Sequence, residues 1–480
     1  MTTTDDTGGT AGTGGTGGTG GTGGTGGAAG NGGAGGPVGH GSFDPGNPPA
    51  RALLDDCVHC GFCLPTCPTY TVTGEEMESP RGRIYLMDLA ARGEIGLDEA
   101  FGGHMDSCLG CLACVTSCPS GVQYDKLIES VRPQVERNIP RTRLDRLFRA
   151  LIFQLFPYPR RLRVAALGGL LYRRLGLRFL AHRTGLIGAL PPRLRAAEAL
   201  LPPVTLRALF AGPRPHTPAV GQPRLRVGLL AGCAQRVFFG DVNAATVRVL
   251  TAEGCDVLVP RDNQCCGALS VHAGREDEGK ARARATIDMF ERYDLDVVVT
   301  NVAGCGSTLK EYGDLLRDDP EYAERAAAFT ARVRDISELL AELPPRAPRS
   351  TLTTRVAYHD ACHLANAQGI RKEPRAVLAT IPGLETHDIA EAELCCGSAG
   401  IYNLVQPETA DDLGRRKARN LEAVRPDVVA TANAGCLLQI RRYLDAGIPV
   451  VHPVQLLDAA IRGAAQGVGP DGAAARRAAG

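Results

Sequence analysis

The sequence predicts a multidomain protein: a small helical α+β module first, then two duplicated α/β domains. Three observations predict this. Four cysteines in C-x2-C-x2-C-x3-C spacing occur twice before residue 120. A Cys-Cys-Gly trio occurs twice in the second half, in "NQCCGALS" and "ELCCGSAG". After residue 224, buried-strand runs alternate with helical stretches, the pattern of parallel sheets with crossover helices.

Composition narrows the function classes. The chain has 480 residues, enough for more than one core. Its net charge of +1 provides no global field for nucleic acid or membrane. Aromatics are 5% and Trp is absent, which argues against a base-stacking platform. No run approaches 18 apolar residues, so no membrane span is expected. The N-terminus lacks a basic stretch followed by an apolar core and does not read as a secretory signal. The 17 cysteines are the anomaly, because a chain of this size needs no disulfide staples. Thiols in such number point to metal or redox chemistry.

Residues 1–48 are mostly Gly and Thr and cannot bury enough apolar surface to fold, so a disordered tail is expected. The G-x-G-x-x-G match at Gly12, Gly14 and Gly17 has no flanking strand or helix and is rejected as a dinucleotide fingerprint.

Residues 49–130 carry the chemistry. "CVHCGFCLPTCP" and "CLGCLACVTSCP" have the spacing of a two-cluster ferredoxin, each ending in Cys-Pro. In that arrangement three thiolates of a run converge on one cluster and the fourth ligates the other. Cys57, Cys60, Cys63 and Cys118 are therefore assigned to one [4Fe-4S] cluster. Cys108, Cys111, Cys114 and Cys67 are assigned to a second. Structural zinc fits poorly, since two complete sets of four are present rather than two separated pairs around one ion. The prolines are expected to stop regular structure after each run. A helix is expected over Ile84–Ala91, with Arg81 and Arg83 at its start. An arginine there could offset thiolate charge, or could simply be a solvated helix end.

Residues 131–222 form a basic helical linker. Between 141 and 183 there are eleven arginines and one acid, Asp145. Apolar residues at helical spacing interleave with them, which favours amphipathic helices packed on the protein. An anionic membrane surface or acidic partner is the sharper alternative for the basic face.

The first Cys-Cys-Gly domain is placed at 223–347 and the second at 350–465, with a second disordered tail at 466–480. Cys233 to Cys265 is 32 residues and Cys362 to Cys395 is 33; Cys266 to Cys305 is 39 and Cys396 to Cys436 is 40. Matched spacings indicate duplication. Cysteines that follow strands in α/β units lie where such sheets bind ligands. Cys233, Cys265, Cys266 and Cys305 are thus candidate additional ligands in one pocket, and Cys362, Cys395, Cys396 and Cys436 in another. Gly267 and Gly397 would let the backbone approach the metal. Buried core cysteines or a vicinal disulfide are the plainer readings, but neither requires the outer cysteines to recur. Cys255 belongs to neither set and is expected to be simply buried.

These motifs carry a resemblance over residues 50–460. "CVHCGFCLPTCPTY", "PRGRIYLM", "GCAQ", "GCGSTLKEYG", "LCCGSAGIY" and "TANAGC" resemble iron–sulfur subunits of bacterial glycolate oxidase. Lactate-utilisation proteins, anaerobic glycerol-3-phosphate dehydrogenase subunits and heterodisulfide reductases share the architecture. The resemblance implies a complex with flavin-bearing (FAD) subunits that oxidise glycolate to glyoxylate. It implies a quinone-type or membrane acceptor and a cytoplasmic location, peripheral at the inner membrane face. The sequence departs from heterodisulfide reductases at Thr308 and Gln439, where their repeats carry a fifth cysteine. That departure counts against disulfide reduction by this chain. His359 and His363 flank Cys362 and are alternative ligands for the absent fifth cysteine, with local hydrogen bonding as their expected role.

No flavin fingerprint and no nucleophile–base constellation is found, so the chain alone is not expected to be catalytic. The expected role is electron transfer from a partner flavin. A self-sufficient thiol enzyme and a nucleic-acid-binding iron–sulfur protein are the competing classes. Neutral charge and the lack of a recognised binding module count against the second, and no nucleic-acid partner is expected.

Overall fold

The structure is a computed structural model that describes residues 41–202, 204–210 and 212–463. The tails expected over 1–40 and 466–480 lie outside the described residues. Residues 41–48, read from composition as tail, are packed instead. Phe43 is buried against the Phe101 ring, and Asp44 pairs with Arg137 and accepts from Asn138. One aromatic and one acid suffice to dock a segment that composition alone dismisses.

The N-terminal module is built of short helices: Pro68–Thr73, Pro80–Ala91, Glu99–Asp106, Ala113–Thr116 and Tyr124–Asn138. Met87, Met105, Leu127 and Val131 fill its core at 0% exposure. Burial of such side chains contributes about 2 kcal/mol each. Two sequence expectations are corrected here. Pro68 does not end regular structure; it starts a helix at the first position, with Cys67 as N-cap, where proline's missing N–H costs nothing. The Pro80–Ala91 helix begins four residues before Ile84, capped by the Ser79 hydroxyl accepting from the Gly82 amide.

The Tyr124–Asn138 helix runs without a break through the boundary placed at residue 130. Five further helices follow within 143–199, among them Arg143–Leu155 and Pro159–Arg174. Ile152 and Phe153 pack on Ile401, Leu404 and Val405, while Leu162, Ala166 and Leu170 pack near Val237. Arg141 and Arg149 reach back to Asp106 of the N-terminal module. The linker thus fastens the N-terminal module to both later domains.

The remainder holds two sheets. The strands are β1 (His216–Thr217), β2 (Leu225–Leu230), β3 (Cys255–Leu258), β4 (Val297–Thr300) and β5 (Val333–Asp335) in the first sheet. The second holds β6 (Thr354–His359), β7 (Leu384–His387), β8 (Val428–Thr431) and β9 (Val450–Val451). Strand orders are β1-β3-β2-β4-β5 and β7-β6-β8-β9. All pairs are parallel except β1 with β3. β1 comes from the region read as linker and adds an antiparallel edge that the second domain lacks.

In each sheet the chain leaves the first central strand one way and returns to its other side. The switch point lies between β2 and β4, and between β6 and β8, where α/β sheets bind ligands. The two domains share one apolar core that includes Val227, Val299, Val356 and Val429. The amide of Ala303 donates to Ala432 O at 3.0 Å, and Arg248 pairs with the buried carboxylate of Asp458.

Candidate metal centres

All seventeen cysteines are free thiols. The sixteen singled out in the sequence fall into four neighbourhoods. Cys57, Cys60, Cys63 and Cys118 line one cavity beneath the start of the Pro80–Ala91 helix, with Cys114 at its wall. Cys67, Cys108, Cys111 and Cys114 line a second. Each cavity therefore takes three thiols from one run and the fourth from the other. Cys63 and Cys114 lie within electrostatic reach of one another, so the two cavities adjoin.

Charge is arranged unevenly around them. Burial pushes the Cys111 and Cys114 thiols well up. Burial also opposes ionisation of Cys108, yet Arg83 and Arg132, the Gly110 amide and the Tyr124 hydroxyl together hold it below its ordinary value. Arg83 is 1% exposed and is no solvated helix end. It donates to Thr69, Glu78, Ser107 and the His104 carbonyl, beside Cys67 and Cys108. Arg81 sits at the first cavity, donating to the His59 carbonyl and pairing with Glu76. Arg132, which sequence reasoning missed, donates to the carbonyls of Cys108 (2.5 Å) and His272 (2.8 Å). Nothing in its local pattern marks it; the join between module and first repeat appears only in three dimensions.

The two repeats each gather four thiols at the switch point. Cys233 and Cys362 stand three residues beyond β2 and β6; Cys305 and Cys436 stand five beyond β4 and β8. In the first repeat the thiols bias one another's ionisation as a string of neighbours, Cys233 with Cys265, Cys265 with Cys266 and Cys266 with Cys305. In the second, the same string runs Cys362, Cys395, Cys396, Cys436. Converging buried sulfurs with few other partners are a donor set suited to a thiophilic metal or cluster.

Gly267 (φ +89°) and Gly397 (φ +86°) occupy the left-handed region. A Cβ on Gly267 would meet Gly279 O at 3.3 Å, and one on Gly397 would meet Ala410 O at 2.8 Å. They let the thiol loop pack against the backbone of the following crossover helix. Cys255 is buried on β3 at 0% exposure, away from both strings, with its thiol pushed up to about 11 by burial.

The repeats differ in their neighbours. The neighbouring thiols of Cys233 and Cys266, aided by the Gly267 amide and Arg282, hold Cys265 well below its ordinary value. In the second repeat all three shifted thiols, Cys362, Cys395 and Cys396, are pushed up. The buried Lys417 lies near Cys395 and Cys396, but its ammonium donates to the Glu391 carbonyl. His363 hydrogen-bonds the Cys362 sulfur at 3.6 Å and its ring packs on that of His272, 4.8 Å away. Cys111 of the N-terminal module adjoins Cys362 and Cys395, and its carbonyl accepts from Asn366. The second repeat therefore abuts the cavity of Cys67, Cys108, Cys111 and Cys114 directly.

Comparison with known proteins agrees with these parts. Residues 53–122 match the 4Fe-4S dicluster domain. Residues 144–201 match the linker region of the glycolate oxidase iron-sulfur subunit, and residues 227–310 and 356–441 each match the Cysteine-rich domain. The chain is 40% identical to the "Probable glycolate oxidase iron-sulfur subunit" of Bacillus subtilis (strain 168), over 84% of this chain and 93% of that protein. It is 36% identical to the "Glycolate oxidase iron-sulfur subunit" of Escherichia coli (strain K12), over 81% and 89% respectively. It is 30% identical to "Lactate utilization protein A" of Halalkalibacterium halodurans, over 49% of this chain and 97% of that protein. With the dicluster module, the dedicated linker and both cysteine-rich repeats matched in order, the chain belongs to the family of glycolate oxidase iron-sulfur subunits.

Proposed function

We propose that this chain relays electrons from a flavin-bearing partner, which oxidises glycolate to glyoxylate, toward a quinone-type acceptor. The oxidation releases two electrons and two protons to the flavin, and the chain takes the electrons one at a time. In this reading Cys57, Cys60, Cys63 and Cys118 hold one [4Fe-4S] cluster, and Cys67, Cys108, Cys111 and Cys114 hold the other. Bound clusters supply one-electron redox chemistry. The protein's own residues set the conditions: Arg83 and Arg132 offset thiolate charge at the inner site, while the exposed Cys60 brings the outer site to the surface. The supporting observation is the continuity of thiols from the surface Cys60, through the two adjoining cavities, to Cys111 beside Cys362. The eight cysteines of the repeats are proposed as ligands of additional centres.

The relatives' names support glycolate as the partner's substrate. The half-length match to "Lactate utilization protein A" favours lactate as the second reading. The test is reconstitution. The isolated chain should not reduce a dye with either acid. Adding the flavin-bearing partner should give activity with glycolate in clear excess over lactate. Oxidation by the chain alone would overturn the relay, and preference for lactate would overturn the substrate.

The acceptor also bears on location. No described helix is long and apolar enough to cross a membrane. The linker helices nevertheless expose Leu144 (79%), Val164 (70%) and Phe179 (68%) among exposed Arg143, Arg146, Arg160, Arg161, Arg174 and Arg183. Exposed apolar side chains interspersed in sequence with arginines fit a peripheral site on an anionic membrane face, with about 1 kcal/mol per basic residue near the surface. Co-sedimentation with anionic but not zwitterionic vesicles is the expected result; equal sedimentation with both would contradict it.

A further inference from the structure

The second repeat holds a donor that the first lacks. His359 ends β6 in register with Thr431 of β8, and its ring is 1% exposed. Its ligand nitrogen and the sulfurs of Cys396 and Cys436 all lie within 4.8 Å of one another, and all three residues are buried. Nδ1 is hydrogen-bonded to the Thr431 hydroxyl at 2.9 Å. Nε2 is buried with no hydrogen-bond partner. A neutral imidazole whose Nδ1–H is held by a fixed oxygen presents its Nε2 lone pair, which is how ligating histidines are oriented. A buried nitrogen left unpaired is costly, and a metal at Nε2 would satisfy it.

The corresponding place in the first repeat supports the contrast. Leu230 ends β2 in register with Thr300 of β4 and packs in the cluster that contains Cys266. The two repeats share the thiol string, the threonine and the strand register, and differ at this residue.

We propose that His359 Nε2 ligates metal in the second repeat, making its donor set four thiolates and one imidazole against four thiolates in the first. The inference rests on the reading that the repeats bind metal. A thiolate-rich donor set next to the dicluster module suits the iron of a cluster, which the test below separates from zinc. The second-repeat centre is the one beside Cys111.

The test uses the full chain, purified without oxygen and labelled with 57Fe. Wild type is compared with His359→Leu, which installs the residue of the first repeat, and with Cys436→Ser. Mössbauer spectra and pulsed EPR of 15N-histidine-labelled protein are recorded. Wild type should show one iron population with a nitrogen ligand. His359→Leu should lose that population and the nitrogen coupling, and keep the ferredoxin-type signals and the circular dichroism of wild type. Iron lost in Cys436→Ser together with no nitrogen-ligated iron in wild type would overturn the His359 ligand while leaving the repeat as a metal site. Iron content unchanged in Cys436→Ser would overturn both. A His359→Leu variant that fails to fold is replaced by His359→Gln, for which the same loss of imidazole nitrogen is required.

Discussion

The first and second cysteine-rich repeats are close to the same object. Both place a four-thiol string at the switch point of a parallel sheet, with the loop held by a left-handed glycine. Their surroundings diverge. The first gives Cys265 an arginine neighbour and faces the dicluster module through Arg132 and a polar groove. The second encloses its thiols more fully, adds His359 and touches Cys111 directly. Duplication preserved what the backbone must do to bring sulfurs together, and left each copy's environment free to change. Electrochemical roles should follow the environment and not the shared frame.

The largest expected effect breaks the contact between module and second repeat. Cys111→Ser removes a proposed ligand that is buried against Cys362 and Cys395. Coupling of metal binding to folding makes the loss several kcal/mol, roughly 5 or more. Iron analysis and thermal melts should show one cluster lost and the second repeat loosened more than the first. Cys60→Ser, at the exposed end, should lose a cluster with little change in either repeat.

Next come the glycines. Gly397→Ala should cost about 3 kcal/mol, combining left-handed strain with a collision against Ala410 O. Gly267→Ala meets Gly279 O at 3.3 Å and should cost roughly 1–2 kcal/mol. Denaturant melts that ranked the two in the opposite order would show that the loops are not held as described.

A pH effect should appear where the Tyr124–Asn138 helix meets the first repeat. Glu129 of the Tyr124–Asn138 helix and Glu311 of the first repeat share the groove with Asp125, Lys126 and Asp314. Burial raises Glu129 to about 7 and Glu311 to about 8. Both folded values lie above the unfolded ones, so the stabilisation is fully present below pH 4.5 and is lost as pH rises through 7 to 8. After allowing for partial solvent access, the loss is about 2 kcal/mol between pH 5 and 8. Hydrogen exchange should show it at the Tyr124–Asn138 helix, and Glu129→Gln with Glu311→Gln should flatten it.

The smallest difference concerns the paired threonines. Thr431→Val strips the partner from His359 Nδ1 and should cost about 1–2 kcal/mol. Thr300→Val loses only a 3.3 Å bond from the Val302 amide and should cost about 0.5–1 kcal/mol.

Much of this architecture is legible in the chain. Cysteine spacing announces the dicluster module, because two full C-x2-C-x2-C-x3-C-P runs match the short loops that wrap a pair of clusters. Matched intervals announce the duplication, because the strand-to-thiol distance is fixed by the sheet. What the sequence hides is long-range. Phe43 docks on Phe101 across a Gly-rich stretch, so composition misplaces the start of the folded region. Arg83 looks like a polar helix start until Thr69, Glu78 and Ser107 close around it. Gly267 and Gly397 are legible as special, but the helix backbone they also face is recruited from later in the chain and is hidden from the sequence. His359 is legible as a neighbour of Cys362, but the sequence does not separate it from His363; only the fold, with its register against Thr431, brings its ring to Cys396 and Cys436.

The central claim is that electrons from the substrate pass through this chain's thiol-bound centres. Freeze-quench EPR of the assembled complex, mixed with glycolate in the absence of oxygen and quenched within one turnover, tests it most directly. The account predicts reduced iron–sulfur signals that appear before the acceptor is reduced and that diminish in Cys111→Ser. Acceptor reduction at the full rate while every cluster stays oxidised would contradict it.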